Sequence, residues 1–194
     1  PNNPTGAVYS KDELHALIEV LRRHPQVWLM TDEIYEHFIY GSAQHQAIVS
    51  LAPDLLSRSL VINGMSKAFA MTGWRIGYGA GPESLIKGIN LLITQSTTCP
   101  SAISQYAATQ ALNGSQECVR EASKLFEQRR DVIVKLLNEI PGVRTYASCE
   151  GNLSQNRPVP YGPYVMAYWP QEADALFVTL EQLARKGCGL LYIS

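Results

Sequence analysis

The stretch LVINGMSKAFAMTGWRIGYG, residues 60–79, contains the features that decide the fold of this chain. It opens with Leu60-Val-Ile-Asn63, a short and nearly continuous apolar run that predicts a buried β-strand. A polar turn with Ser66 and Lys67 follows. Arg75-Ile-Gly-Tyr-Gly79 then predicts a weaker strand, because glycine disfavours strand interiors. The stretch therefore indicates a sheet with polar residues placed just beyond the end of a strand.

Strands and helices alternate on both sides of this stretch. Val27-Trp-Leu-Met-Thr31 predicts another short buried strand. Ahead of it, Ser10 and Glu13 have the spacing of a capping box, which predicts the start of a helix. Further helical patterns cover about 83–95, about 102–112, roughly 116–139 and 172–186, with Ser101 and Ser115 as candidate caps of the second and third of these. This alternation predicts an α/β domain whose sheet is mostly parallel.

Composition narrows the class of protein. The chain has 194 residues, is 46% hydrophobic and carries a formal net charge of −1, which is typical of a globular protein with a sizeable core. The charge balance gives no support for a nucleic-acid partner or a membrane surface. The cysteines are far apart and form no C-x-x-C pair, which favours reduced thiols in an intracellular protein. They are Cys99, Cys118, Cys149 and Cys188.

Several polar side chains that could bind a ligand or take part in catalysis lie at or just beyond predicted turns and strand ends. Asn3 stands in an Asn-Pro-Thr-Gly turn, and Asp32 and Tyr35 follow the first predicted strand. Lys67 follows the second strand, and Arg75 comes shortly after it. In α/β sheets ligands bind outside the carboxyl ends of the strands. Asp32 and Lys67 are expected at that edge, so the sequence predicts a ligand site there.

The motifs N-P-T-G, D-x-x-Y, S-K and R-I-G-Y, in this order over about 1–150, resemble the fold-type I, class I aminotransferases. Residues 31–40, 70–75 and 94–105 are similar to the bacterial aspartate aminotransferases of that family. The resemblance implies pyridoxal 5′-phosphate as cofactor and no metal. It also implies transfer of an amino group between an amino acid, aspartate first, and a 2-oxo acid such as 2-oxoglutarate. A cytoplasmic homodimer, with no nucleic-acid or membrane partner, is implied for the full-length parent.

The resemblance implies a role for each candidate residue. Lys67 would form the Schiff base with the cofactor and later move the substrate α-proton, as a lysine amine can. Asp32 would keep the pyridine nitrogen protonated, so that the ring can withdraw electrons. Glu33, next in sequence, is expected to face elsewhere. The alternatives are a solvated surface lysine at Lys67 and an ordinary turn aspartate at Asp32.

The remaining roles concern the ring oxygen and the phosphate. Tyr35 and Asn3 would both donate hydrogen bonds to the 3′-oxygen of the cofactor, the alternatives being a core aromatic and a plain turn residue. Arg75 would bind the phosphate, because a guanidinium can bind it through two hydrogen bonds. Ser66 is a further hydroxyl donor. Some branches of the family place a hydroxyl at the position of Gly64 instead.

The expected organisation follows the family. Residues 1–114 are expected to be the C-terminal half of the cofactor-binding large domain, with a mostly parallel sheet and helices on both faces. Residues 115–140 are expected to be a long interdomain helix, and 141–194 an incomplete small domain. From about residue 152 the sequence departs from the family pattern, by frameshift or by natural divergence. The family's phosphate loop and its carboxylate-binding arginine are not recognised, so the chain is interpreted as a fragment.

Other functions fit the same motifs. An aromatic or prephenate aminotransferase, or a C–S β-lyase of the same fold, would use the same lysine, aspartate, tyrosine and arginine. A non-catalytic remnant, or an aminotransferase-like domain of a transcription regulator, is the alternative from another class. Gly77-Tyr-Gly-Ala-Gly81 lacks the spacing and the acidic partner of a dinucleotide loop. Ser84-Leu-Ile-Lys87 has no companion motif.

Overall fold

The computed structural model describes residues 1–3, 6–141, 144–145, 167–168 and 190–193, with side chains up to residue 141. The helices are α1 (Lys11–Arg23), α2 (Ile48–Leu51), α3 (Glu83–Ser96), α4 (Ala102–Asn113) and α5 (Glu117–Asn138). The strands are β1 (Trp28–Asp32), β2 (Ser59–Gly64), β3 (Gly77–Ala80), β4 (Arg144–Thr145), β5 (Ala167–Tyr168) and β6 (Leu190–Ile193). The helical pattern noted over 172–186 lies outside the described residues.

The sheet that positions the site has the strand order β3-β2-β1-β6. Strand β1 pairs with β2 and with β6 in parallel, and Asp32 stands beside Ile62 in the first of these pairings. Strand β3 pairs with β2 in the antiparallel direction. The described sheet is therefore mixed. Since β1 and β2 are parallel, their carboxyl ends meet at one edge, as the sequence predicts.

The third predicted strand needs a correction at its start. The sequence pattern placed it at 75–79, whereas β3 is Gly77–Ala80. The difference arises because Arg75 has a left-handed backbone, with φ 51° and ψ 51°. That conformation ends the short 3₁₀ turn of Thr72–Trp74 and cannot belong to a strand.

Helix α1 begins as its capping box predicts. The backbone N–H of Glu13 donates to Ser10 Oγ over 3.3 Å, and the Ser10 N–H donates to the Glu13 carboxylate over 2.8 Å. The apolar face of the helix is buried against β1 and the segment before β2. This cluster consists of Leu14, Ile18, Leu21, Leu29, Ile48, Ala52 and Leu55. It forms the core beneath the amino-terminal part of the sheet.

Arg58 connects the end of α1 to the start of β2. Its guanidinium donates to the carbonyl oxygens of Leu21 over 2.6 Å and His24 over 3.2 Å, and also to Val27. Helix carbonyls near a carboxyl terminus lack intrahelical partners, and a cation suits that end of the helix dipole. The contact fixes α1 against the two parallel strands.

Helix α5 packs on the segment that follows β1. The rings of Phe126 and Phe38 meet edge to face at 5.3 Å, and the Arg130 guanidinium lies 4.9 Å from the Tyr40 ring centre. The backbone N–H of Gly41 donates to Glu127 Oε1 over 3.1 Å. These contacts hold one face of α5 against residues 38–41.

The candidate serine caps of the later helices are only partly confirmed. Ser101 stands at the N-cap of α4, but its hydroxyl makes no capping hydrogen bond. The N-cap of α5 is Gln116, although Ser115 Oγ accepts a hydrogen bond from the Glu117 N–H over 3.2 Å. None of the described helices has the length and apolar character that a membrane crossing requires.

Candidate functional site

Asp32 is the last residue of β1, at the carboxyl edge of the sheet. Its side chain is half-buried, and its Oδ1 accepts a hydrogen bond from the backbone N–H of Ile34 over 3.1 Å. An aspartate that accepts from the residue two positions on is typical of a turn that leaves a strand. The local backbone therefore fixes the direction of this carboxylate.

Glu33 has different partners, as expected. It is buried, with 7% of its surface exposed. Thr31 Oγ1 donates to its Oε1 over 2.6 Å, and His45 Nε2 lies 2.8 Å from its Oε2 at ion-pair distance, without good hydrogen-bond alignment. Burial would raise the pKa of Glu33, but the contacts with His45 and Thr31 outweigh it and hold that pKa below its ordinary value. The two neighbouring carboxylates are thus in different environments.

Tyr35 and Lys67 come together from different turns. Tyr35 is buried in the turn after β1, in a cluster with Phe38 and Tyr40. Lys67 is exposed, and its Nζ lies 5.3 Å from the centre of the Tyr35 ring. That distance is within the range in which a cation is attracted to an aromatic face.

The turn that carries Lys67 is anchored on both sides. Met65 and Ala68 are buried, with 1% and 6% of their surfaces exposed. The backbone N–H of Met71 donates to the carbonyl of Met65 over 3.3 Å, which closes the loop. Buried residues thus hold the backbone while the lysine side chain projects outward.

Arg75 lies beyond the lysine turn on an exposed surface. Its guanidinium donates to the carbonyl oxygen of Thr72 over 3.1 Å. A non-glycine residue with a left-handed backbone is uncommon and costs on the order of 1–2 kcal/mol. The backbone at Arg75 is one of three such positions in the described residues, with Ala70 and Thr98. Ala70 and Arg75 both lie in the loop between Lys67 and β3.

Two predicted site residues are not brought to the others by described contacts. Asn3 is exposed, and Pro4 and Thr5 of its turn lie outside the described residues. Ser66 is half-buried beside Lys67. In the part of the chain that the structure describes, no hydrogen bond joins either side chain to Asp32, Tyr35 or Arg75.

Sequence reasoning missed a pair of side chains beside the site. The amide nitrogen of Asn63 donates to Glu36 Oε1 over 2.6 Å, and its oxygen accepts from the Gly64 N–H over 2.7 Å. The available signal was weak: Asn63 is a polar residue at the end of an apolar run. Its partner lies far away in sequence, so no local pattern indicates the contact.

The groups at this edge are polar and of several kinds. They comprise a primary amine, a phenol and a carboxylate at the ends of two parallel strands, with a guanidinium on the following loop. Among the described side chains, no group of three or more His, Cys, Asp and Glu residues could hold a metal ion. Cys99 and Cys118 are exposed free thiols, and Cys149 and Cys188 lie outside the described residues.

The family model and the sequence relatives that match this chain indicate the same family. The family model described as "Aminotransferase class I and II" matches residues 1–161. A probable aspartate/prephenate aminotransferase of Rhizobium leguminosarum bv. phaseoli is 46% identical over 167 residues, covering 81% of this chain and 42% of the relative. An aspartate/prephenate aminotransferase of Cereibacter sphaeroides is 50% identical over 143 residues, covering 74% and 36%.

Solved structures agree with the sequence relatives. The aspartate aminotransferase of Rhizobium meliloti superposes with a TM-score of 0.74 at 45% identity, covering 84% of this chain and 38% of that one. The aspartate aminotransferase of Thermus thermophilus with maleate gives 0.71 at 33% identity, covering 98% and 46%. The chain thus spans less than half the length of these relatives. Its α/β fold is that of the fold-type I enzymes, and the chain belongs to the class I and II aminotransferases.

Proposed function

We propose that the complete gene product is a pyridoxal-phosphate-dependent transaminase that moves an amino group from aspartate to 2-oxoglutarate. The observation that carries the proposal is the position of Lys67 Nζ, 5.3 Å from the Tyr35 ring centre, at the same sheet edge as Asp32. The relatives named as aspartate and aspartate/prephenate aminotransferases support the choice of substrate.

The donor set fits pyridoxal 5′-phosphate. The cofactor needs an amine for its aldehyde, a carboxylate for its ring nitrogen, a donor for its ring oxygen and a cation for its phosphate. Asp32 is the carboxylate whose direction the turn fixes, whereas Glu33 is buried with Thr31 and His45. When bound, the cofactor supplies an aldehyde that accepts the amino group and a ring that withdraws electrons.

Lys67 performs the proton transfers in this proposal. Its amine would hold the cofactor at the aldehyde through Nζ. With the substrate in place, the free amine would serve as the base and acid that moves the proton of the substrate α-carbon. The anchored turn keeps this amine in one region while its four-carbon side chain lets Nζ move between the two positions.

The other residues bind and orient. Asp32 would hold the protonated ring nitrogen of the cofactor, while Tyr35 and Asn3 would donate to its ring oxygen. Arg75 would bind the phosphate through its guanidinium, and Ser66 would add a hydroxyl donor. Since the acid and the amine come from the ends of parallel strands, both are held on rigid elements rather than on long loops.

The proposal extends to the organisation of the whole protein. We assign residues 1–114 to the cofactor-binding domain and 115–140 to an interdomain helix. Residues 141–194 are assigned to the start of a small domain, whose sequence is atypical for the family from about 152. The complete gene product acts as a cytoplasmic homodimer, without a nucleic-acid or membrane partner. Light scattering of the complete protein tests the dimer directly.

Reductive labelling tests the chemistry. The complete gene product is incubated with pyridoxal phosphate, reduced with borohydride and digested, and the labelled peptide is located by mass spectrometry. The label is expected on Lys67 and is lost in Lys67→Ala. The matched control is Lys87→Ala, since Lys87 is an exposed lysine paired with Glu83 on α3. Label on another lysine, or none on the wild type, would overturn the proposal.

Prephenate is the second candidate substrate. It is favoured because relatives at 46% and 50% identity are named aspartate/prephenate aminotransferases. The two substrates are compared through kcat/KM for 2-oxoglutarate and for prephenate, with aspartate as the amino donor. A higher kcat/KM for prephenate would replace 2-oxoglutarate as the assigned acceptor.

A further inference from the structure

One side-chain hydrogen bond connects the turn that carries Tyr35 with the end of β2, which leads into the turn that carries Lys67. The amide nitrogen of Asn63 donates to Glu36 Oε1 over 2.6 Å, in a partly buried position. Glu36 directly follows Tyr35, and Asn63 stands within β2 just before the lysine turn. Because water competes less at a partly buried site, this contact is stronger than an exposed one.

Asn63 also fixes the start of the lysine turn. Its side-chain oxygen accepts a hydrogen bond from the backbone N–H of Gly64 over 2.7 Å. Gly64 itself is tightly packed, since a Cβ there would lie 3.1 Å from Gly77 Cα and 3.2 Å from Ile34 Cδ1. One amide group therefore holds both turns, one through its oxygen and the other through its nitrogen.

Other polar side chains stand close to the pair. Tyr78 stands opposite Asn63 in the pairing of β2 with β3. Burial raises the pKa of Tyr78, and the negative charge of Glu36 raises it further. His37 Nε2 lies 3.6 Å from Glu36 Oε1. A hydrogen bond to a carboxylate is shorter and stronger than one between neutral groups.

We propose that Glu36 and Asn63 are positioning residues, whose hydrogen bond sets the separation between the Lys67 amine and the Tyr35 ring. The inference rests on the proposed function, in which that amine must reach both cofactor and substrate. Neither residue touches the reacting atoms; each acts through its neighbour in the chain. A displacement of about 1 Å at a catalytic group can reduce the rate roughly a hundredfold.

An exchange of donor and acceptor tests the pair. Asn63→Asp keeps the oxygen that accepts from Gly64 but places a carboxylate against Glu36. Adding Glu36→Gln restores one donor and one acceptor in exchanged positions. The matched control is Asn113→Asp on α4, where the amide nitrogen donates to the carbonyl of Thr109 over 3.0 Å.

Two measurements on the complete gene product separate positioning from folding. In the cofactor-free protein, reductive methylation at Lys67 is measured relative to Lys87 by mass spectrometry. In the loaded enzyme, kcat and KM are measured separately. For Asn63→Asp we expect the methylation ratio to change about threefold or more and kcat to fall about tenfold to a hundredfold, with KM nearly constant. The double variant should recover both, and Asn113→Asp should change neither.

The outcomes are distinct. The inference is wrong if Asn63→Asp matches the wild type in both measurements, or if the double variant recovers neither. Where Asn63→Asp alone does not fold, a folded and active double variant supports the pair, and an unfolded one overturns it. Loss of borohydride labelling at Lys67 in the wild type would contradict the proposed function itself. Normal labelling with unaffected variants would contradict only the role of Glu36 and Asn63.

Discussion

The Nζ atom of Lys67 lies 5.3 Å from the centre of the Tyr35 ring, although the two residues belong to turns after different strands. The parallel pairing of β1 and β2 produces this meeting, because it brings both carboxyl ends to one edge. The ring face attracts the lysine cation, and in the proposed function the phenol donates a hydrogen bond to the cofactor. The two contributions of Tyr35 can be separated by substitution.

Tyr35→Phe keeps the ring and removes the hydroxyl. We expect kcat/KM to fall about tenfold, which is near the upper limit for the loss of one hydrogen bond. The free energy of unfolding should change by less than about 1 kcal/mol. Tyr35→Leu also removes the ring face and should lower stability by a further 2–4 kcal/mol or so, because Tyr35 is buried with Phe38 and Tyr40. Steady-state kinetics and urea unfolding of both variants provide the check. Equal kcat/KM for Tyr35→Phe and the wild type would remove the hydroxyl from the mechanism.

The sequence predicts this arrangement where the signals are local. Ser10 and Glu13 encode the start of α1, and short apolar runs encode β1 and β2, because capping and strand burial depend on neighbouring residues. The common sheet edge of Asp32 and the lysine turn follows from the alternation of strands and helices. These parts needed no knowledge of distant contacts.

Contacts between distant segments could not be predicted in this way. The bond between Asn63 and Glu36 and the pairing of Glu33 with His45 depend on how β1, β2 and their loops pack. In the sequence, His45 lies beside a loop, and no local pattern predicts its contact with Glu33. The left-handed backbone of Arg75, which displaces the start of β3, is likewise set by the packing of its loop rather than by residue type.

The Glu33 carboxylate should make stability depend on pH. Its pKa is lowered from the ordinary 4.5, since the contacts with His45 and Thr31 outweigh the opposing effect of burial. A lowered folded-state pKa stabilises the protein above the unfolded value, and this stabilisation is lost as pH falls through the folded value. Glu33→Gln should therefore be less stable than the wild type at pH 7, and the difference should shrink below pH 4.5.

Unfolding free energies in urea at several pH values measure this difference. The control is Glu19→Gln, an exposed glutamate that pairs with Arg22 on α1. Such surface pairs contribute about 0–1 kcal/mol, so this variant should stay close to the wild type throughout. A stability difference for Glu33→Gln that is constant from pH 7 to acid would contradict the assignment.

Arg75 should control affinity for the cofactor phosphate. Arg75→Lys keeps the charge but loses the planar fork, so the Kd for pyridoxal phosphate should rise about tenfold or more. Arg120→Lys on α5 is a suitable control, because that arginine is exposed and pairs with Glu117. Equilibrium dialysis with the complete gene product gives both constants. An unchanged Kd for Arg75→Lys would show that another group binds the phosphate.

Gly64 allows the lysine turn to lie against β3. In Gly64→Ala the new Cβ would stand 3.1 Å from Gly77 Cα and 3.2 Å from the carbonyl oxygen of Ile76. Both are backbone atoms, which cannot move aside cheaply, so we expect a loss of about 1–3 kcal/mol in unfolding free energy. The backbone N–H of Gly64 donates to Asn63 Oδ1, so a shift of this backbone should disturb the lysine turn and lower kcat as well.

Gly88→Ala is the matched control. A Cβ at Gly88 would meet nothing within 4 Å in the described part of the chain, and the residue lies inside α3. Alanine is the better helix former by about 1 kcal/mol, so this variant should be slightly more stable with unchanged kcat. Thermal unfolding and steady-state kinetics compare the two variants. If Gly64→Ala were as stable and as active as Gly88→Ala, close packing between the lysine turn and β3 would not be what positions Lys67.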